Sequence, residues 1–142
     1  MKVAKLKALD ADHVLNYKTN ENWSVSIAKH SGGGVDHVLD AGGDATMKHS
    51  IAAAKMGGNI SLIGVLGGFS TEIVLPIVFG KHLRLTGIAV GSGQQQLDMI
   101  AAIDASGLQP VIDKSFSLEN LADAFAYQQS GAHFGKITVV YD

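Results

Sequence analysis

The stretch with the clearest potential for chemistry is a glycine turn between an apolar run and a helical pattern. Residues 83–90 read LRLTGIAV, Gly91-Ser92-Gly93 follows, and the helical pattern QQQLDMIAAIDAS occupies 94–106. Strand, glycine turn and helix is the layout that binds a dinucleotide's pyrophosphate, because glycine lets the backbone approach and helix amides face the phosphate. The complete fingerprint needs a third glycine where this chain has Gln96. The turn is therefore either a pyrophosphate site or a plain connection from strand to helix.

Metal binding and nucleophilic catalysis have less support. The chain has no Cys, which excludes a disulfide framework and a thiolate metal site. No two histidines show the spacing of a ligand pair on a helix, and no G-x-S-x-G elbow indicates a hydrolase. We therefore predict surface or capping roles, and no metal site, for the six histidines: His13, His30, His37, His49, His82 and His133.

Composition sets broad limits. A chain of 142 residues, of which 46% are hydrophobic, is long enough for one domain with a core. The net charge of −2 gives no general attraction to nucleic acid or anionic membranes, so we expect neither as a partner. No apolar run reaches the ~18 residues of a spanning helix. The opening MKVAKLKALDADHV lacks the apolar centre of a signal peptide, and we expect a cytoplasmic protein.

Helical and strand patterns alternate along the chain. Strand-like runs occupy 13–17, 35–41, 59–65, 71–75, 83–90, 111–116 and 136–141. Helical patterns occupy 3–9, a segment capped by Asn22 that runs to His30, a segment that starts at Asp44 or Thr46 and runs through Lys55, a segment opened by Pro76, 94–106, and a segment after Ser117 that ends at Gly131. Strands that alternate with helices indicate βαβ units, so we predict an α/β fold with a parallel sheet. The run NISLIGV at 59–65 is nearly all apolar, as in a strand covered on both faces.

Five segments, taken in order, resemble a known family. ALDADHVLNYKT, GGGVDHVLDAGG, KMGGNISLIGVLGG, LRLTGIAVGS and SGAHFGKITVVYD are similar to the later half of the medium-chain dehydrogenases. That family includes zinc-type alcohol dehydrogenases and zinc-free quinone reductases. The resemblance implies an incomplete Rossmann-like parallel sheet with flanking helices. Residues 1–91 would be a partial NAD(P)-binding Rossmann domain with the family's strands three to six, and residues 92–142 would be the segment that returns to the catalytic domain.

The same resemblance implies where a cofactor would lie. The nicotinamide half of NAD or NADP would lie across the ends of the fourth, fifth and sixth strands, and a basic residue would lie near the pyrophosphate. The corresponding residues here are Ala41 and Gly42, then Ile63, Gly64 and Val65, then Ile88, Ala89 and Val90, and finally Lys136. The alternatives are core packing for the apolar members and a solvated strand end for Lys136. On this reading Gly91-Ser92-Gly93 is the exit into the returning segment, and the pyrophosphate turn is elsewhere.

The resemblance implies a function in outline. The chain would be part of an NAD(P)-dependent oxidoreductase that transfers hydride between an alcohol or carbonyl substrate and nicotinamide. The first two strands of the sheet, the glycine fingerprint and the zinc-bearing barrel have no counterpart in the sequence, so we expect no catalytic residue, no bound zinc, weak or absent cofactor binding and no activity in these residues alone. Two alternatives remain open: a non-catalytic module that binds itself or relatives, and a parent of the zinc-free quinone-reductase type.

Two structural expectations accompany the resemblance. The family usually reads LGAD where this chain has Leu9-Asp10-Ala11-Asp12, so an Asp replaces the glycine that ends a helix. The family's sheet has the strand order 3-2-1-4-5-6. Without strands one and two, the strand at 13–17 would pair directly beside 35–41 or exchange with a second copy. We therefore expect a homo-oligomer, in particular a dimer formed through edge strands.

Overall fold

The computed structural model describes residues 2–141. Its helices are α1 Lys2–Ala8, α2 Trp23–His30, α3 Asp44–Ala53, α4 Leu75–Gly80, α5 Gly93–Ser106 and α6 Leu121–Gln129, with a 3₁₀ turn at Leu118–Asn120. Its strands are β1 Val35–Asp40, β2 Ala54–Leu62, β3 Arg84–Gly87, β4 Ile112–Ser117 and β5 Lys136–Val140. No helix in the described range is long and apolar enough to cross a membrane.

The chain divides into two compact units, of which one covers Val3–Val90 and the other begins at Gly91. The first contains a three-stranded sheet in the order β1-β2-β3, and the second contains the pair β4-β5. Every strand pairing in both sheets is parallel. The predicted α/β fold with parallel strands and flanking helices is confirmed.

The core of the first unit lies between its sheet and α3. Met47 and Ile51 are one helical turn apart on α3 and pack against Ile60 of β2, which is fully buried. Burial of one such side chain contributes about 1.5–3 kcal/mol. Val38 and Leu85 pack against the same cluster from the two neighbouring strands. One apolar face of the sheet therefore holds the helix in place.

The opposite face of the sheet is less covered than the sequence suggests. Asn59 and Ser61 alternate with Ile60 on β2 and are only half-buried, and Ile63 beyond them is exposed. Leu39, on the same face of β1, is 74% exposed. Asn59 Nδ2 donates to Ser61 Oγ, and Thr86 Oγ1 donates to Asn59 Oδ1. The expectation that both faces of this strand are covered is therefore met on one face only.

The passage from α3 to β2 differs from the prediction. The sequence predicts a helix through Lys55 and a strand at 59–65, with Gly57 and Gly58 between them, but β2 begins at Ala54, directly after α3. The ladder with β1 is irregular here, since Val35 pairs with Ala54 and His37 with Asn59. The intervening residues bulge out of the ladder, and Gly57 takes a positive φ of 74°. Lys55 on the bulge forms a hydrogen-bonded ion pair with Asp36. The hydrogen bond from Lys55 holds the pKa of Asp36 below its usual value.

The predicted strand at 13–17 is wrong. Residues 13–16 have no regular secondary structure, 17–19 form a turn, and β1 pairs with β2 alone in the described sheet. A strand requires a ladder of hydrogen bonds, and this segment has no strand to pair with. The expected pairing beside 35–41 is therefore also wrong. The imidazole of His13 instead stacks on that of His30, with 3.6 Å between the ring centroids.

Two helix-related predictions have mixed outcomes. Residues 71–74 do not form a strand, although Pro76 does lie in the first turn of α4, as predicted. Asp10, which replaces the family's glycine, adopts a φ of +61° after α1 ends. The residue that ends this helix therefore has a positive φ even though it is not glycine. Asp tolerates that conformation better than most residues.

The second unit is built around the β4-β5 pair and α6. The ladder shifts register between Ile112 and Lys114, so that Asp113 and Lys114 both reach Tyr127 of α6. Tyr127 donates a hydrogen bond to Asp113 over 2.7 Å, and Lys114 Nζ lies 4.6 Å from the centroid of the Phe116 ring and 5.3 Å from that of Tyr127. The hydrogen bond to Asp113, aided by burial, raises the pKa of Tyr127.

Candidate functional site

The carboxyl ends of β1, β2 and β3 meet at one edge of the first unit. Because the strands are parallel, the loops that follow them emerge side by side. Ile63 N donates to Asp40 O over 2.9 Å, and Ile88 N donates to Leu62 O over 3.0 Å, so the ladder continues one residue past each strand end. We call the residues that follow, 41–43, 63–68 and 88–90, the carboxyl edge.

Two loops of the carboxyl edge are bonded to each other through their backbones. Leu66 N donates to Ala41 O over 3.1 Å, and Gly67 N donates to Gly42 O over 2.7 Å. A Cβ placed on Gly64 would lie 2.8 Å from Ala41 O. Only glycine permits this approach without movement of the backbone. The two loops therefore form one packed surface.

A buried carboxylate fixes the first of these loops. Asp40, the last residue of β1, is 3% exposed. Its Oδ1 accepts from Gly42 N over 3.0 Å, from Gly43 N over 2.9 Å and from Thr46 Oγ1 over 2.9 Å. Its Oδ2 accepts from Ser50 Oγ over 2.5 Å. Buried carboxylates persist only when donors replace their hydration, and here two amides and two hydroxyls do so.

The carboxylate also decides what this glycine turn can bind. β1, Gly42-Gly43 and α3 repeat the strand, glycine turn and helix layout in which free amides cradle a phosphate. Here the amides of both glycines already donate to Asp40. Asp44 N, at the start of α3, donates to Gly68 O over 3.3 Å. An anionic phosphate would meet a like charge and occupied donors, so this turn is not a pyrophosphate cradle.

The turn at Gly91-Ser92-Gly93 is a helix cap. α5 begins at Gly93 with Ser92 as its N-cap. Ser92 Oγ accepts from Gln95 N over 3.3 Å, and Ser92 N donates to Gln95 Oε1 over 2.7 Å. These reciprocal bonds are a capping box, which satisfies the first free amides of a helix. Of the two readings that the sequence left open, the geometry favours the connection from strand to helix.

The structure brings most of the predicted cofactor residues together. Ala41, Gly42, Ile63, Gly64 and Val65 lie in the two bonded loops, and Ile88, Ala89 and Val90 follow β3 at the same edge. The larger apolar members are substantially exposed in the described residues, with exposed fractions of 47% for Ile63, 46% for Val65, 52% for Ile88 and 98% for Val90. An apolar surface therefore remains open where the resemblance implies a nicotinamide.

Lys136 belongs to the second unit. It is exposed at the start of β5 in the second unit, where its N–H donates to Val111 O over 2.7 Å. The solvated strand end that the sequence left as an alternative describes this position. The role of Lys136 near a pyrophosphate stays a prediction.

His30 and His49 make local contacts. His49 Nδ1 lies 2.9 Å from Ser24 Oγ, and its ring lies 5.0 Å from that of Trp23. His30 Nδ1 lies 2.8 Å from Ser26 O. Among residues 2–141, no three His, Cys, Asp or Glu side chains are grouped so that they could hold a metal ion.

Sequence reasoning missed Asp40 because it counted that residue only as part of a strand. A signal was nevertheless present. An acidic residue ends the strand, Ala41 and then two glycines follow, and hydroxyls come at Thr46 and Ser50, four residues apart and so on one helix face. That pattern predicts a carboxylate that accepts from both the turn and the next helix.

Comparison with known proteins identifies similar chains. The sequence profile of a family described as zinc-binding dehydrogenase matches residues 9–139. A zinc-type alcohol dehydrogenase-like protein of Schizosaccharomyces pombe is 38% identical over 141 residues, which cover 96% of this chain and 41% of that protein.

Solved structures agree in fold. The crystal structure of a putative alcohol dehydrogenase from Sinorhizobium meliloti 1021 has a TM-score of 0.88 and 33% identity, and the match covers 99% of this chain and 41% of that one. The crystal structure of an NAD-dependent alcohol dehydrogenase has a TM-score of 0.80 and 27% identity, and covers 98% of this chain and 40% of that one. The chain thus spans about two fifths of the length of these relatives.

Proposed function

Because the chain belongs to the zinc-binding dehydrogenase family, we propose that its carboxyl edge is the nicotinamide side of an NAD(P)-binding site in an alcohol dehydrogenase-like oxidoreductase. When bound, NAD(P) would accept or donate a hydride at its nicotinamide ring. The observation that carries the proposal is the open apolar surface of Ile63, Val65, Ile88 and Val90 beside the close backbone approach of Gly64 to Ala41. Open parallel sheets bind ligands at this end of their strands.

The hydrogen bonds within the carboxyl edge indicate which of its backbone groups could contact a cofactor. Ala41 O and Gly42 O already accept from Leu66 and Gly67, so this loop would contribute shape rather than polar contacts. Ile88 N–H already donates to Leu62 O, which leaves the carbonyl oxygen of Ile88 to accept from a carboxamide. The exposed apolar side chains would exclude water from one face of the nicotinamide ring.

Zinc does not fit the donor set of this chain. The sequence has no Cys, and the described residues contain no group of three His, Asp or Glu with metal-binding geometry. We assign no step to zinc, and we propose that these residues alone do not catalyse turnover. The chain's share of about two fifths of its relatives' length supports this.

The nicotinamide assignment can be tested with half-cofactors. Nicotinamide mononucleotide should shift the backbone amide resonances of residues 41–43, 63–68 and 88–90 in two-dimensional NMR, with weak affinity. ADP, which lacks the nicotinamide, should leave those resonances in place. Val90→Lys should abolish the response, since it puts a positive charge beside the cationic nicotinamide ring. Val25→Lys, on the exposed face of α2 where Val25 is 67% exposed, is the matched control and should keep the response.

Two results would contradict the assignment. One is a wild-type chain whose carboxyl edge does not respond to millimolar nicotinamide mononucleotide. The other is a response to ADP alone at that edge. The same preparation should show no NAD(P)-coupled oxidation of alcohols or reduction of quinones. Robust turnover would refute the proposal that these residues alone are inactive.

We also propose that the chain self-associates through its edge strands. In the described sheet β1 pairs with β2 alone, and Leu39 on β1 is 74% exposed. An edge strand with unpaired backbone groups and an exposed apolar side chain favours pairing with another chain.

A further inference from the structure

We propose that Asp40 is the positioning residue of the carboxyl edge. Its side chain would set the shape of the turn at residues 41–43, and through that turn the loop at 63–68. The inference rests on the proposed function, because it gives Asp40 its role in nicotinamide binding. Asp40 is itself 3% exposed and lies behind the turn, so its effect on a cofactor is indirect.

Asp40 fixes the turn at residues 41–43 through one carboxylate oxygen. One oxygen, Oδ1, accepts from the amides of Gly42 and Gly43 at 3.0 and 2.9 Å, so both amides point inward. The φ of Gly43 is +67°, a left-handed conformation that glycine adopts without strain. Since glycine also permits many other conformations, a fixed acceptor is needed to select this one. Asp40 supplies that acceptor.

The carboxylate of Asp40 is also bonded to α3. Thr46 Oγ1 lies 2.9 Å from Oδ1 and 3.0 Å from Oδ2, and Ser50 Oγ donates to Oδ2 over 2.5 Å. Ser50 is 2% exposed and belongs to the same helix face as the core residues Met47 and Ile51. The carboxylate is thus anchored to a rigid element, which lets it impose a geometry on the flexible turn.

The turn is hydrogen-bonded to the loop whose surface a nicotinamide would contact. With its amides turned toward Asp40, the turn directs Ala41 O to Leu66 N and Gly42 O to Gly67 N. These bonds hold the loop that carries the exposed Val65, and Gly64 packs against Ala41. Loss of the acceptor would free both glycine amides, and the hydrogen bonds between the two loops would be disrupted.

Three variants separate positioning from general stabilisation. Asp40→Ala should displace the amide resonances of Gly42, Gly43, Leu66 and Gly67 without any nucleotide, and should weaken nicotinamide mononucleotide binding by about tenfold or more. Asp40→Asn should rescue both readouts, because its amide oxygen can accept from the glycines and its NH₂ can donate to the hydroxyls of α3. Ser50→Ala, the matched control, removes one buried hydrogen bond of the network but leaves Oδ1 as the acceptor of the turn and Thr46 as the attachment of Asp40 to α3.

The outcomes are distinct. If Ser50→Ala displaces the four resonances as much as Asp40→Ala, or if Asp40→Asn gives no rescue, the positioning role is wrong. If Asp40→Ala does not fold, scalar coupling across the hydrogen bonds from the Gly42 and Gly43 amides to Asp40 Cγ in the wild type decides the question, and its absence would overturn the proposal. Failure of the wild type to bind nicotinamide mononucleotide would refute the proposed function, whereas the nucleotide-free resonances would still test Asp40.

Discussion

At the scale of single residues, the carboxyl edge depends on the carboxylate of Asp40 and on the lack of a side chain at Gly64. The carboxylate of Asp40 accepts from the amides of Gly42 and Gly43, and the missing Cβ of Gly64 lets the loop after β2 pack against Ala41. Both features act on the backbone and leave the exposed apolar side chains free. The shape of the edge is therefore set by contacts to the backbone.

Gly64→Ala should separate the two loops. The new Cβ would lie 2.8 Å from Ala41 O and 3.2 Å from Ala41 Cα, so backbone atoms would have to move. Overpacking of this kind costs about 1–3 kcal/mol. The free energy of unfolding can be measured in urea by the fluorescence of Trp23, the single tryptophan, which lies in the first unit.

The matched control for that substitution is Gly87→Ala. Gly87 ends the neighbouring strand β3, and a Cβ there would meet nothing within 4 Å. We expect its unfolding free energy to stay within about 0.5 kcal/mol of the wild type. Equal losses for the two variants would show that any added methyl group at this edge is destabilising and that the contact with Ala41 is unimportant.

At the scale of elements, local sequence predicts helices better than it predicts strands. Residues 93–106 form α5, close to the predicted 94–106, and Pro76 marks the first turn of α4. A helix satisfies its own hydrogen bonds, so its limits are encoded in neighbouring residues. Residues 13–17 have a strand-like composition but no partner, and pairing depends on the rest of the chain. For the same reason the bulged start of β2 at Ala54 could not be predicted from its neighbours.

The C-terminal end of α3 is capped by a lysine side chain from elsewhere in the chain. Lys81, just after α4, donates from Nζ to Ile51 O, Ala52 O and Ala54 O over 3.2, 2.9 and 2.8 Å. A cation on the last carbonyls of a helix satisfies free acceptors and complements the helix dipole. Lys81→Met should therefore lower the unfolding free energy by about 1–2 kcal/mol. Urea titration followed by Trp23 fluorescence measures this loss.

Lys48→Met controls for the removal of a positive charge. Lys48 is exposed in the middle of α3, away from the terminal carbonyls. It should change stability by less than about 0.5 kcal/mol. If Lys81→Met is equally mild, the three hydrogen bonds to the end of α3 do not contribute measurably.

At the scale of the whole molecule, the sheet of the first unit has few strands for a parallel sheet. Parallel strands are usually covered on both faces and joined to further strands. Within residues 2–141, β1 and β3 each pair with β2 only. The polar network of Asn59, Ser61 and Thr86 lies on the face opposite to α3, and Leu39 is exposed beside it. Self-association through β1 would pair the open backbone groups of this strand.

Light scattering at micromolar concentration tests this association directly. The wild-type chain should have the mass of a dimer, whereas Leu39→Lys should be a monomer with unchanged helix and strand content by circular dichroism. A lysine on an edge strand disfavours pairing because its charge would be brought into the interface, and Leu39 contributes little to the core since it is 74% exposed. Val25→Lys places the same charge on the exposed face of α2 and should remain dimeric. A monomeric wild type, or a dimer that persists in Leu39→Lys, would show that β1 is not an association surface and that its open edge is tolerated in solution.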